Sequence, residues 1–418
     1  MAYRHRTLGF LFFLSAITDL DRVCISVAGP RMQLELGLTP QRWGPVVGAF
    51  ALGYALFEVP SGMMADRSGA RRTLARIVVL WSLFTSLTGA VSGFGMLLAV
   101  RFLFGAGEAG AFPGATSAIS RWFPAGERSR AQGVVWMASR VGGMVSPFLV
   151  VPIQRAFGWR TSFYVFGAVG LVWAVAWFLW YRDHPGEKPG VPPAERELLA
   201  GNVARTHRHG QVPWRRVLRQ RNFWWLLTAY HAYSWGAFFY LSWLHTYLQK
   251  GRGFTEEEMK LWSALPFAMG ALGNLLGGTL SDLLVRRFGL GVGRRVVGTA
   301  GLALGGAFLA ATALVENRTA AALCLCFGFF SMDCFLPVSW AVSLDLGRAS
   351  AGSISGAMNM AGQLGSFVSS LVFGYVVSLS GGDYNRALLP LATMTLLSAA
   401  LFSRIDPGKP LVEVPAPA

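Results

Sequence analysis

Eight ionisable side chains lie inside stretches of sequence that are otherwise apolar. They are five carboxylic acids and three arginines, namely Asp19, Asp21, Arg22, Glu58, Arg101, Glu108, Arg140 and Asp333. An ionised group in the middle of a bilayer costs several kcal/mol unless it is paired or hydrated, so such a residue is functional by default. Arginine keeps its proton in proteins, whereas a carboxylic acid can gain and lose one. The set therefore combines fixed cations, which can bind an anion, with acids that can carry protons.

Two of these residues share one helix face. Arg101 and Glu108 are seven residues apart, which puts them on the same side of a helix, about 10 Å apart along its axis. The glycines beside Glu108 would let a neighbouring helix or a ligand approach. Arg22 and Arg101 are natural carboxylate binders, and Asp21 and Glu108 are natural proton carriers. The alternative is that these groups form static salt bridges between helices.

Long apolar segments must position these side chains. The chain of 418 residues is 53% hydrophobic and only 14% charged, whereas about a quarter of the residues in soluble domains are charged. A helix needs about 20 apolar residues to cross a hydrocarbon core of about 30 Å. The segments that meet this requirement cover residues 8–29, 43–65, 74–94, 96–120, 131–153, 161–181, 222–248, 260–284, 296–315, 319–344, 352–379 and 387–403. The sequence therefore predicts an all-α membrane protein with twelve transmembrane helices.

The net charge of +16 first suggests a nucleic-acid partner. The basic residues, however, form no patch and fall in the loops between the apolar segments, mostly on one side of the membrane. Lys and Arg accumulate in cytoplasmic loops, so this bias places both termini in the cytoplasm. The charge thus reflects topology, and we expect no nucleic-acid partner.

One long polar segment divides the chain. Residues 182–220 are rich in proline and charge, and they separate two sets of six apolar segments. We therefore predict an N-terminal six-helix bundle at residues 1–181, a cytoplasmic central loop at 182–220 and a C-terminal six-helix bundle at 221–418.

The two halves repeat a loop motif after their second apolar segment. In each half an acid follows a glycine by four residues, and arginines follow the acid. The motif residues are Gly62, Asp66, Arg67, Arg71, Gly278, Asp282 and Arg286. The glycine would let two helices meet closely, and the acid would accept hydrogen bonds from arginines or from a helix N-terminus. We predict a cytoplasmic gate here; the alternative is a basic loop that only sets topology.

These features resemble the major facilitator superfamily. Its signature is the loop motif Gly-x-x-x-Asp-Arg-x-Gly-x-Arg-Arg, which this chain carries at residues 62–72, and its plan is six plus six spans around a long central loop. The resemblance covers nearly the whole chain. It implies two six-helix bundles, a substrate site between them at mid-membrane, and alternating access by rocking of the bundles.

Two segments narrow the resemblance to the anion:cation symporters, a family that includes bacterial sugar-acid permeases and the animal sialic-acid and vesicular glutamate carriers. Asp21-Arg22 in the first span and Arg101-x6-Glu108-Ala-x-x-x-Pro113 in the fourth are similar to that family's patterns. The resemblance implies that Arg22 and Arg101 neutralise the substrate carboxylate. It also implies that Asp21 and Glu108 couple protons.

Four further residues are candidates for the substrate site. Tyr54 lies in a segment similar to the family's Gly-Tyr-x-x-x-Gln-x-Pro-x-Gly, whose tyrosine lines the site. Asn359 lies in a segment similar to the family's Asn-x-x-Gly-x-Leu-Gly and could hydrogen-bond sugar hydroxyls. Trp340 could stack on the body of the substrate. Arg140 matches an arginine found on the fifth helix of some members; the alternative is that it pairs with an acid.

The chain departs from the family pattern at several positions. Thr18 and Asp19 stand where the family often has Asn-Tyr, Glu58 replaces a glutamine, His245 replaces a proline, and Asp333 is an additional acid. More acids would mean additional proton sites or a cargo with fewer negative charges.

We therefore expect proton-coupled symport of a small organic anion, a sugar acid of the aldonate or hexuronate type, across a bacterial inner membrane. The protein would work as a monomer in the lipid bilayer, with protons as the coupling ion and with no metal or other cofactor. The alternatives are a proton-coupled antiporter that exports metabolites or drugs, and a transporter-like sensor without flux. We do not expect an enzyme, because the sequence lacks the His-Glu-x-x-His, Gly-x-Ser-x-Gly and phosphate-binding glycine motifs.

Overall fold

The structure is a computed structural model, and it describes residues 2–123, 128–206, 214–347 and 351–411. Within the helices, the side chains of residues 59, 62, 63, 65–67, 120, 128–130, 200–206, 344, 351 and 352 are also outside the description. The part of the chain that is described is almost entirely helical and contains no strand. This confirms the all-α fold class predicted from the sequence.

Six helices precede the central polar segment. They are α1 (Tyr3–Glu35), α2 (Pro40–Gly89), α3 (Phe94–Glu108), α4 (Ala111–Trp122), α5 (Arg128–Phe157) and α6 (Trp159–Trp180). We refer to them together as the N-terminal half.

Gly69 and Gly110, which both have positive φ, break the helical geometry at two points in this series. The 50 residues of α2 would span about 75 Å as one straight helix, more than twice the hydrocarbon core. Helical geometry breaks at Gly69 (φ 79°), which divides α2 into two arms. Gly110 (φ 91°) separates α3 from α4 inside the single predicted span 96–120. Side chains larger than hydrogen are strained at such φ values. The fourth span is therefore discontinuous, and the break follows directly after Glu108.

The central segment and the C-terminal half complete the chain. The central segment contains a 3-10 turn at Pro185–Glu187 followed by the short helices α7 (Pro193–Thr206) and α8 (Trp214–Val217). The C-terminal half consists of α9 (Arg221–Ser242), α10 (Leu244–Thr246) with a π turn at Tyr247–Gly251, α11 (Glu256–Phe288), α12 (Leu290–Leu314), α13 (Arg318–Gly347), α14 (Ala351–Leu379) and α15 (Leu388–Phe402).

The helices account for the predicted spans. Seven segments of the described chain are long and apolar enough to cross a bilayer on length and composition alone. They belong to α3 with α4, α5, α6, α11, α12, α13 and α14. The other five predicted spans correspond to α1, the two arms of α2, α9 and α15. Of these, α1 carries three charged residues near its centre, and α15 has only 15 residues.

Glycines allow very close helix packing inside the N-terminal half. There, α1 packs on α5, and α2 packs on α3 and α6. A Cβ added to Gly53 would overlap the carbonyl oxygen of Phe102, and one added to Gly105 would overlap that of Phe50. The backbones of α2 and α3 are therefore nearly in contact. This fixes the position of α3, which carries two of the predicted site residues.

The two halves meet along pairs of helices. Across this interface α2 packs on α14, α5 on α11, and α1 on α9 and α10. We call the face of the protein on which α1 begins the N-terminal face, and the opposite face, on which α1 ends, the far face. Towards the far face the contact is close, because a Cβ on Gly44 would lie 2.8 Å from the carbonyl oxygen of Ser370 and one on Gly374 would lie 2.8 Å from that of Pro40.

An ionic cluster joins the halves at the far face. Two guanidinium nitrogens of Arg31 lie 3.0 Å from the Glu256 carboxylate oxygens, and Nε of Arg155 lies 3.1 Å from Oε2 of the same carboxylate. The amide of Gln154 also donates to Glu256, at 3.0 Å. Arg31, Gln154 and Arg155 belong to the N-terminal half, and Glu256 begins α11 of the C-terminal half. Charge-assisted bonds of this kind are stronger than neutral ones, so the cluster holds the far face closed.

We predict that Glu256→Gln loosens this closure. The neutral amide is a poorer partner for two arginines, and a loss of about 1 kcal/mol makes the open far face roughly fivefold more populated. The measurement uses a cavity-facing Ser366→Cys in a background without the four native cysteines. An impermeant thiol reagent applied to the far face should react severalfold faster in the variant. Glu316→Gln, an exposed acid on the same face, is the control, and equal rates in all three proteins would contradict the assignment.

Candidate functional site

A cavity lies between the two halves at the depth of the interior charges. Its volume is about 80 Å³, enough for several water molecules. Side chains of α1, α2, α4, α5, α9, α13 and α14 line it. The predicted site residues among them are Arg22, Tyr54, Arg140 and Asn359. The structure thus brings four of the six predicted substrate-binding residues to one space.

Arg22 forms the wall of the cavity on the α1 side. Its Nε lies 2.6 Å from Oε1 of Glu108, and a second guanidinium nitrogen contacts the same oxygen. The carboxylate of Glu108 is completely buried, whereas 10% of the Arg22 side chain is exposed. The guanidinium also lies over the rings of Phe50, Tyr54 and Phe112, 5.1 to 5.6 Å from their centroids. An anion in the cavity can therefore reach the guanidinium of Arg22. Glu108 binds the same guanidinium on the side that faces away from the cavity.

Arg101 lies beside Arg22 but outside the main cavity. The two arginines line a smaller void of about 10 Å³. The Arg101 guanidinium packs against the rings of Phe50 and Phe104, at 5.3 and 4.7 Å from their centroids. In this conformation Arg101 is a neighbour of the site and not part of its wall.

Asp21 faces away from the cavity. Its carboxyl group is buried against Thr85 and the indole of Trp81 on the second arm of α2, without hydrogen-bond geometry to either. Asp21 and Arg22 are adjacent on a helix, so their side chains project about 100° apart. The structure therefore does not place the two predicted proton carriers, Asp21 and Glu108, at one point.

Arg140 pairs with acids, as the alternative interpretation of this residue proposed, and also lines the cavity. Its Nε and one terminal nitrogen lie 2.5 and 2.8 Å from the two carboxylate oxygens of Asp333 on α13. Its other terminal nitrogen lies 3.3 Å from Oδ2 of Asp19 on α1. Ser139 donates a hydrogen bond of 2.6 Å to the same Asp19 oxygen. Asp19 also lies 3.9 Å from Arg22, so this carboxylate stands between the two arginines of the cavity.

The remaining substrate candidates differ in their access to the cavity. Asn359 lines it and donates a 2.5 Å hydrogen bond to Glu58, from α14 to the first arm of α2. Trp340 is not among the lining residues; its indole lies 3.3 Å from the hydroxyl of Tyr230, which does line the cavity. Trp340 therefore contacts a residue of the cavity wall but does not itself face the cavity. The expected stacking of Trp340 on a substrate does not fit this conformation.

The repeated loop motif is only partly described. Gly62, Asp66 and Arg67 lie outside the residues whose side chains are described. Arg71 donates to the carbonyl oxygen of Phe178 at 2.9 Å, and its backbone N–H to Asp183 at 3.3 Å.

Asp183 was not expected from the motif. It also binds Arg121 of α4, at 2.9 Å. The sequence offered a weak signal, because Asp183 is an acid two residues after the sixth predicted span.

The copy of the motif in the C-terminal half makes contacts within that half. Asp282 binds Arg294 of α12 at 2.9 Å, and Arg294 also reaches Asp345 at 3.4 Å. Arg286 is exposed. A Cβ on Gly278 would lie 3.8 Å from Pro337, an ordinary contact. The expected close helix approach at Gly278 is therefore not present. The arginine that binds Asp282 is Arg294 of α12, which is not one of the predicted motif residues.

Comparison with known proteins identifies the family. Residues 11–370 match the model of the Major Facilitator Superfamily. The chain belongs to this superfamily. The recognition made from the loop motif is thereby confirmed, and so is the expectation that the protein is a transporter and not an enzyme. As a major facilitator it is an integral, multi-pass membrane protein.

Several relatives of this major facilitator are anion transporters by name. It is 36% identical over 388 residues to a "Probable sulfoacetate transporter" of Cupriavidus necator, covering 90% of this chain and 88% of that one. It is 30% identical over 407 residues to a "Hexuronate transporter" of Bacillus subtilis, covering 96% and 95%. A solved bacterial homolog of the lysosomal transporter Spinster superposes with a TM-score of 0.75 at 21% identity, over 97% of this chain and 98% of that one, which supports the fold.

We predict that Arg22 and Glu108 are energetically coupled in this major facilitator. Arg22→Gln leaves a wholly buried carboxylate without its cation, at a cost of about 3–5 kcal/mol. Glu108→Gln costs less, because Arg22 can be hydrated from the cavity. The double variant should recover most of the loss. Thermal unfolding in detergent measures this double-mutant cycle.

The matched control for this cycle is the surface pair of Arg386 and Asp383, which are 3.2 Å apart and whose side chains are 70% and 37% exposed. Neutralising that pair should change stability by less than about 0.5 kcal/mol. If the effects of the Arg22 and Glu108 variants were additive, with no recovery in the double variant, the two residues would not be coupled.

Proposed function

We propose that this major facilitator is a proton-coupled symporter of a small organic anion. The observation that carries the proposal is the geometry of Arg22, a fixed cation in the cavity wall bound from behind by the buried acid Glu108. The arginine can bind a carboxylate of the cargo in bidentate fashion. Its present partner is an acid that is able to accept a proton.

Competition for Arg22 would link cargo and proton. When Glu108 is ionised, it occupies the donors of Arg22. When Glu108 is protonated, those donors are released, and an anion in the cavity can take them. A protonated Glu108 also avoids a bare carboxylate in an apolar setting while the halves change position. Anion binding and protonation of Glu108 therefore favour one another, which is the requirement for symport.

The charge balance of the interior also favours proton uptake together with an anion. Five carboxyl groups and three guanidinium groups share the apolar interior of the described chain. If all were ionised, the acids would be in excess, and an anionic cargo would increase the excess. Proton uptake relieves it. Asp21, which has no hydrogen-bond partner among the described residues, is a second place where a proton can reside.

The neutral groups of the cavity favour a polyhydroxylated anion. Hydroxyl and amide side chains of Tyr54, Tyr230, Ser234, Asn359 and Gln363 line it together with the arginines. Such groups suit the hydroxyls of a sugar acid of the aldonate or hexuronate type. A relative named as a hexuronate transporter agrees with this class, and the sulfoacetate relative agrees with a small organic anion more generally.

The orientation follows from the distribution of basic residues. The N-terminal face carries Arg71, Arg121, Arg286 and Arg294, and Lys and Arg accumulate on the cytoplasmic side. We place both termini in the cytoplasm and the far face outside a bacterial inner membrane. The protein acts as a monomer, with protons as the coupling ion and without a cofactor.

Proteoliposome uptake tests the coupling. An inward proton gradient should drive accumulation of the cargo. In Glu108→Gln, the cargo gradient at which net uptake stops should fall by at least tenfold per pH unit, because each transported proton contributes a factor of ten. Exchange of labelled for unlabelled cargo, which needs no net proton movement, should persist. The exposed Glu316→Gln is the control. Uptake by the unmodified protein that ignored the pH gradient would end the proposal.

Ligand-dependent thermal unfolding tests the cargo class. A glucuronate, a gluconate, sulfoacetate and the uncharged sugar alcohol of the same length are compared. We expect the sugar acids to stabilise the protein by about 2.7 kcal/mol at 100 times their dissociation constant. Arg22→Gln should abolish this effect. If only sulfoacetate stabilises the protein, the cargo is still an organic anion, but it is not a sugar acid. If the sugar alcohol stabilises the protein, both the organic anion and the sugar acid are rejected as the cargo.

A further inference from the structure

Among the described residues, one ion pair crosses between the two halves inside the membrane. Arg140 of α5 binds both carboxylate oxygens of Asp333 on α13, at 2.5 and 2.8 Å. The same guanidinium reaches Asp19 of α1, in its own half, at 3.3 Å. Asp333 is completely buried, and Asp19 is 1% exposed. Arg140 therefore lies between one acid of its own half and one acid of the opposite half.

The surroundings of Asp333 contain one cation among the described residues. Asn274 of α11 donates to Oδ2 at 3.1 Å, and a Cβ on Gly270 of the same helix would overlap that oxygen. The ring of Phe329 lies 4.9 Å from the Arg140 guanidinium. The other titratable groups that face Asp333 are Asp19 of α1, the phenols of Tyr230, Tyr233 and Tyr240 on α9, and the thiol of Cys334 beside it.

Relative movement of the halves has unequal effects on the two acids. If α5 and α13 separate when the far face opens, Arg140 keeps its partner Asp19, because α1 and α5 belong to the same half. Asp333 keeps only the neutral amide of Asn274, which belongs to its own half. An ionised carboxylate that is buried without a cation is costly, so the acid form is then the favourable one.

We propose that Asp333 is a second proton-coupling residue of the transporter, which takes up a proton when its pair with Arg140 opens and releases it when the pair forms again. This inference rests on the proposed symport. The carboxylate accepts a proton from a hydronium ion in the water that enters through the open far face, and that hydronium ion becomes water. In the far-face-closed conformation described above, Arg140 returns to Asp333, and the proton leaves towards the N-terminal face. Arg140 remains charged throughout and keeps Asp19 as its partner while its pair with Asp333 opens and forms again.

Measuring the cargo gradient that just stops net flux tests this role. Proteoliposomes are held at zero membrane potential with valinomycin and equal potassium, with a gradient of one pH unit. Each coupled proton multiplies the balancing cargo gradient by ten. We expect Asp333→Asn to lower this gradient tenfold relative to the unmodified protein while exchange of labelled cargo continues. A double variant with Glu108→Gln should lower it a hundredfold.

Other outcomes would overturn the assignment. An unchanged balancing gradient in Asp333→Asn would make the pair a static contact between the halves. A tenfold loss in both the single and double variants would mean that Asp333 and Glu108 share one proton. Asp383→Asn, on an exposed turn, is the matched control and should leave the gradient unchanged. If the single variant does not reach the membrane, Arg140→Gln with Asp333→Asn removes both charges, and the same tenfold fall is expected.

This design separates the inference from the proposed function. If net flux through the unmodified protein stops at equal cargo concentrations on both sides, whatever the pH gradient, then the proposed symport is wrong. If the unmodified protein follows the pH gradient and Asp333→Asn behaves identically, only the role of Asp333 fails.

Discussion

The need to neutralise each buried charge governs the interior of this transporter. Arg22 and Glu108 are the central case, because they are in contact at 2.6 Å and the acid is completely buried. Taking both ions out of water is expensive, and their mutual attraction repays this cost only in good geometry. A pair of this kind contributes little to net stability compared with apolar packing. In the symport proposed for this chain, a cargo anion and a proton would break and re-form this pair.

The helical backbone is interrupted next to Glu108. The fourth span breaks at Gly110. Glu108 is the last residue of α3, and α4 begins at Ala111 as a separate helix, directly after Ala109 and Gly110. Discontinuous helices in transporters occur where a cavity or a binding site makes irregular backbone tolerable at mid-membrane. The close contact of α2 with α3 at Gly53 and Gly105 holds this broken helix in place.

Several polar contacts join the two halves. The far face has the cluster of Arg31, Arg155 and Glu256, the interior has Arg140 with Asp333, and Asn359 of α14 meets Glu58 of α2. Each contact joins one half to the other. A change in the charge of one partner therefore changes the energy of one arrangement of the halves relative to another. This is how a local proton can influence the access of the whole cavity.

The sequence by itself determined the fold class, because apolar segments of bilayer length allow few alternatives to helices. It also determined which charges lie in the interior, and it named Arg22, Tyr54, Arg140 and Asn359, which do line one cavity. Only the tertiary structure decided which acid pairs with which arginine.

Asp21 illustrates the physical reason. It is the neighbour of Arg22 in sequence, yet successive residues point about 100° apart on a helix. Asp21 therefore faces Thr85 and Trp81, whereas Asp19, three residues from Arg22, shares its side of α1 and lies between the two arginines. Partners that come from α3, α5 and α13 depend on helix packing across long sequence separations, and no local pattern encodes them.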